Sequence, residues 1–187
     1  MKNKLFNVIF PLWFLLMFPS TWLLVLPANF FVDSIVFLCA LKLLDISHIK
    51  EIYKKCILKI WLIGFLSDIV GSAVLFTTQF FPSNGIWEDI TEAVIANPFS
   101  NVFGFIFVLI AFLVSAFLIY FINNKFTFKK CDLENKIKVK IAVILAVFTA
   151  PYFFFYPSSS SFYNVKNYEL NTNDEHIICE YIDLENI

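Results

Sequence analysis

Long apolar stretches separated by short polar ones set the pattern of this chain. From Leu5 to Leu44 it is almost continuously apolar, broken by prolines at 11, 19 and 27. A stretch of that length accommodates two membrane spans of about 20 residues each. Pro27-Ala28-Asn29 reads as the turn between them, with Asn29 able to cap the second helix. The first span is therefore expected over Leu5 to Leu26, kinked at Pro11 and Pro19. Ser20 and Thr21 are placed to satisfy the carbonyls that Pro19 frees. The second span is expected over Phe30 to Leu44. Lys2 and Lys4 ahead of the apolar run resemble a signal peptide. Leu5 to Leu26 is long for that role, however, and Pro27-Ala28-Asn29 is a poor small-residue cleavage site, so the stretch reads as a retained span.

After a polar connection at 45–55, Cys56 to Gln79 makes a third span. Pro82-Ser83-Asn84-Gly85 is a turn. Ile86, Trp87, Ile90, Ala93 and Val94 then form a helical apolar stripe opposite Glu88, Asp89 and Glu92, as expected of a short helix lying in the membrane interface. Asn97-Pro98 ends it. Phe99 to Phe121 is a fourth span, with Gly104, Ala111 and Ser115 as its close-packing points. Ile137 to Tyr156 is a fifth, in which Ala142, Ala146 and Ala150 repeat every four residues as a seam for helix packing. A Ser-rich linker, Pro157 to Ser161, leads into a polar, acidic tail. Within it, His176 to Ile182 is a weak candidate for a short strand or helix. The expected fold is an all-α membrane protein of five transmembrane helices over residues 1–156, with an outer interfacial helix. Residues 157–187 form a polar extracytoplasmic tail.

Composition supports the class. The chain is 59% hydrophobic and only 16% charged, with 25 phenylalanines among its 187 residues, and its mean hydropathy is +0.76. Soluble domains carry about 25% charged residues. The apolar runs do not alternate, which excludes a transmembrane barrel. All 14 basic residues are lysine, which suits an AT-rich bacterial coding sequence. With the N-terminus in the cytoplasm, Lys2, Lys4, the lysines of 42–59 and those of 125–140 all fall inside, and only Lys166 falls outside. The acidic segment 82–98 carries no lysine. The positive-inside rule therefore selects a multi-pass cell-membrane protein with its N-terminus cytoplasmic and its C-terminus outside. Trp13, Trp22, Trp61 and Trp87 read as interface anchors. The four cysteines, Cys39, Cys56, Cys131 and Cys179, form no CxxC pair and have no histidine at metal-ligand spacing. Cys179, alone on the outer side, is expected free or in an intermolecular bond. No cofactor, metal site or nucleic-acid partner is expected.

The polar exceptions carry the candidate chemistry. In Trp61 to Phe76, Gly64, Ser67, Asp68, Gly71 and Ser72 share one helical face. A lipid-facing aspartate at mid-span costs about 2.5–3.5 kcal/mol on insertion scales, so this face should look inward. Gly64 and Gly71 read as helix-packing residues. Asp33 is expected about 6 Å below the outer surface, at 1.5 Å per residue, with Asp68 deeper on the neighbouring span. Two carboxylates in one low-dielectric space resist ionising together, so one would hold a proton or bind a cation. Asn29, Ser34, Ser67 and Ser72, at comparable depths, complete a candidate ligand-binding or proton-linked site.

Three functions compete on these residues. A small transporter-like or transporter-associated subunit uses Asp33 and Asp68 directly. It needs a protein partner or a second copy, because so few helices enclose little volume, and no inverted repeat is visible to support it. A non-transporting membrane protein of assembly, sensing or immunity would use the acidic outer segments as contact surfaces and leave the aspartates as packing residues. An intramembrane enzyme is weakest. Paired carboxylates can activate water, but the expected depths differ, no further motif accompanies them, and no catalytic residue is assigned.

Overall fold

The computed structural model of the chain describes residues 11–131 and 133–158, and these are mostly helical, without a strand. Five α-helices form the body: α1 (Trp22–Leu43), α2 (Ile49–Phe76), α3 (Gly85–Ala96), α4 (Val102–Ile122) and α5 (Asn135–Phe148). Short 3-10 turns flank them, and α4 runs on into a π-helical turn, Asn123–Thr127. Four segments are long and apolar enough to cross a membrane: Pro19–Leu43, Ile49–Phe80, Val102–Thr127 and Asn135–Phe155. They support a membrane protein.

The five-span expectation fails at its first boundary. Pro27-Ala28-Asn29 is no turn, because α1 continues through Pro27. The proline stands in the second turn of the helix, where it removes one amide. The carbonyl of Leu26, next to it, accepts from the Trp61 indole Nε1 at 2.9 Å, which ties α2 to α1 here. Ahead of α1, Pro11 and Pro19 reduce the described part of the expected first span to 3-10 turns, Leu12–Met17 and Pro19–Thr21. Thr21 does satisfy the freed carbonyls, donating to Phe18 at 2.7 Å and to Leu15. Leu12–Met17 packs against Tyr152–Phe155, so the two described ends of the chain lie at the same end of the bundle. The expected cytoplasmic N-terminus concerns residues outside the described ones. So do the tail beyond Ser158, the 176–182 segment and Cys179.

Other boundaries follow the polar signals. Asp45 and His48 adopt left-handed backbone and close the α1–α2 hairpin. Gly85, with φ +55°, opens α3 from its turn, a conformation that glycine adopts without strain. Asn97 ends α3 and caps the turn at Pro98. The side chain of Asn101 accepts from the amides of Phe103 and Gly104 and starts α4. The apolar stripe of α3 is buried at Ile90, Ala93 and Val94, while Glu88, Asp89 and Glu92 are exposed.

The spanning helices pack in the order α1, α2, α4, α5, and α5 returns to α1. Small residues mark the contacts. Ala142, Ala146 and Ala150 are buried, and so are Gly104, Ala111 and Ser115. A Cβ added at Gly104 would come within 2.5 Å of Ala93 Cβ, so this glycine admits α3.

Two apolar cores result. One, toward the α1–α2 and α4–α5 connections, gathers Phe37, Leu41, Ile57, Ile60, Ile119 and Leu145. The other, toward α3, gathers Trp13, Leu16, Leu75, Val94, Val108 and Phe154. Trp13 is thus a core residue, 2% exposed, whose indole donates to the Val94 carbonyl at 3.2 Å, instead of an interface anchor. On α1, α2 and α4 the buried residues that belong to neither core are small or polar, and most of them make an intermediate layer.

Candidate functional site

That intermediate layer is built from one position or stretch on each helix. From α1 come Asn29 and Asp33. From α2 come Gly64, Ser67, Asp68, Gly71 and Ser72, all buried, as the helical spacing predicts. Ser115 comes from α4, and Thr149 caps the C-terminus of α5. Because α1 begins near Pro19, Asp33 stands near the middle of its span and not close to the surface. The expected difference in depth between the two aspartates therefore disappears.

Asp33 and Asp68 are 4% and 3% exposed. Asn29 Nδ2 donates to Asp68 Oδ2 at 3.4 Å. Asp33 lies within electrostatic reach of Asp68, and the Thr149 side chain is near it. Gly64 supplies the space: an added Cβ would stand 3.2 Å from Asp33 Oδ2. Among the described residues, neither Asp33 Oδ2 nor Asp68 Oδ1 has a hydrogen-bond partner, and the hydroxyl of fully buried Ser72 has none either. A buried polar atom left without a partner costs about 1–3 kcal/mol, and more when it carries charge. Each such atom calls for an explanation: strain, a chemical role, or a bound water or ion.

The remaining expected residues separate from this cluster. Ser34 accepts from the Tyr53 hydroxyl at 3.0 Å and is thereby paired. Ser67 donates to the Ile63 carbonyl of its own helix at 2.7 Å. Its carbonyl in turn accepts from Ser115 Oγ at 2.9 Å, which ties α4 to α2. Gly71 makes that crossing possible: an added Cβ would collide with Ser115 Oγ and lie 2.8 Å from the Phe154 ring. Thr149 and Ser115 were not visible as site residues in the sequence, because their roles depend on which helices become neighbours. Among the described residues no group of three histidine, cysteine or acidic side chains is placed to hold a metal ion.

Comparison with family models, with curated proteins and with solved structures finds no match to this chain. The functional reading rests on the geometry alone.

Proposed function

We infer that this chain is a small transporter-like or transporter-associated membrane subunit built around a proton- or cation-binding site at Asp33 and Asp68. The observation that carries this reading is the pair of unpartnered carboxylate oxygens, Asp33 Oδ2 and Asp68 Oδ1, buried at mid-span on adjacent helices. Carboxylates in the middle of a span mark ion and proton pathways. The available donors are oxygens, from two carboxylates, an amide and a hydroxyl, which suit a proton or a hard monovalent cation.

The reading extends to topology. The protein is multi-pass in a bacterial cell membrane. Lysines cluster at 42–59 and 125–140, at the end of the bundle opposite α3, and this end faces the cytoplasm. The α3 helix, with its exposed acidic residues, lies in the outer interface, and both described ends of the chain lie outside with it. Four spanning helices enclose little space, so the transport pathway is completed by a protein partner or by a second copy in the bilayer.

Thermal unfolding of the detergent-purified protein tests the site. A ligand that binds only the folded form stabilises it by about 2.7 kcal/mol at one hundred times its dissociation constant. The midpoint should rise with Na+, Li+ or K+, or with acidification, and Asp68→Asn should abolish the rise while the protein stays folded. A midpoint indifferent to cations and pH, in wild type and variant alike, would return the aspartates to helix packing and favour a non-transporting interaction protein.

A further inference from the structure

The bundle end opposite α3 holds a second chemical group, lying in the apolar core toward the α1–α2 and α4–α5 connections. Cys56, in the second turn of α2, and Cys131, just beyond the π-helical turn that follows α4, are both free thiols. Their sulfurs stand 2.7 Å apart although the residues are 75 positions apart. They are 1% and 5% exposed. Cys131 Sγ also reaches the Thr127 carbonyl at 3.8 Å. Thr127 in turn is held by Asn123, whose amide nitrogen donates to the Ile119 carbonyl at 2.9 Å. A continuous set of hydrogen bonds from α4 therefore fixes one sulfur against the other. Two sulfurs in this contact need to approach by less than about 1 Å to reach a disulfide bond length.

We propose that Cys56 and Cys131 form a dithiol site that a small hydroperoxide converts reversibly into a disulfide joining α2 to the α4–α5 connection. The burial limits the oxidant to a small molecule, since a peptide disulfide cannot approach sulfurs this enclosed. In the first step one sulfur attacks a peroxide oxygen. The O–O bond breaks, a sulfenic acid forms and one water leaves. In the second step the other thiol attacks that sulfur. The S–S bond forms, the S–O bond breaks and a second water leaves with the remaining proton. The two thiols lose two electrons and two protons, and the peroxide gains both. Buried thiols react slowly, so the site integrates sustained oxidation and does not respond to brief pulses. If this end faces the cytoplasm, as inferred above, the resting pair is reduced. The chemistry itself does not depend on the orientation.

Counting free thiols in a C39S/C179S variant tests the proposal, because only Cys56 and Cys131 remain. The purified protein is reduced, freed of reductant and exposed to hydrogen peroxide. It is then denatured and labelled with a maleimide polymer. The expected result is two adducts before oxidation and none after, on a species that migrates as a monomer without reductant and regains both adducts with dithiothreitol. Persistence of two adducts, a single adduct, a cross-linked dimer or a loss that dithiothreitol fails to reverse would each overturn it.

Discussion

Two sets of buried polar side chains in this protein are treated in opposite ways. At the end of α4, Asn123 and Thr127 are 0% and 1% exposed. They are closed on themselves: Thr127 donates to Asn123 Oδ1 at 2.9 Å, and Asn123 donates back to its own helix. In the middle layer, Asp33, Asp68 and Ser72 are equally buried, yet each keeps an atom without a partner among the described residues. The fold thus satisfies the polarity at the end of α4 completely. Of the four buried side-chain atoms without a partner among the described residues, three lie in the layer with the two carboxylates, and the fourth is Ser158 Oγ.

Substitutions break or sharpen that contrast. The largest effect is expected at Gly71, where α2 meets Ser115 and Phe154. Gly71→Leu should eliminate monodisperse folded protein in detergent, and Gly71→Ala should cost about 1–3 kcal/mol, the usual penalty for overpacking. Size-exclusion profiles and thermal unfolding would show both. In the closed set, Asn123→Ala strands the Thr127 hydroxyl and should destabilise by about 1–3 kcal/mol without altering any cation or pH response. The open set should behave in reverse. Asp68→Asn should change stability by less than about 1 kcal/mol, because a neutral isostere relieves an unpaired buried acid, yet remove the cation and pH response altogether. Smallest of all, Ser72→Ala should fall within about 0.5 kcal/mol of wild type or slightly above it, since it deletes a hydroxyl that has no partner. A large loss at Ser72, or a silent Asn123→Ala, would erase the distinction between the two sets.

The same contrast separates what the sequence discloses from what it conceals. The inward face of α2 is legible because five small or polar residues at helical spacing need only one helix to be recognised. The helix end at Asn97 and the alanine seam of α5 are legible for the same reason. Pro27 misleads because proline inside an apolar run reads locally as a boundary. What surrounds α1 at that point, Trp61 of α2 included, is set by tertiary packing that no local pattern reveals. That one misplaced boundary also moved Asp33 from mid-span to near the surface. Thr149 and the Cys56–Cys131 contact were hidden for a similar reason. Each depends on which helices close the ring, and spacing along one helix carries no such information. Ser34 lay at a plausible depth but belongs to Tyr53 instead of to the aspartates.

The central claim is that Asp33 and Asp68 exchange a proton or cation at the middle of the bundle. Infrared difference spectroscopy of the protein in lipid vesicles, titrated with pH and with Na+, reads the carboxyl groups directly. The account predicts a protonated-carboxyl band that diminishes as pH rises or Na+ is added, and that is missing from the Asp33→Asn/Asp68→Asn double variant. A wild-type spectrum that keeps the same carboxyl signal throughout both titrations would contradict it.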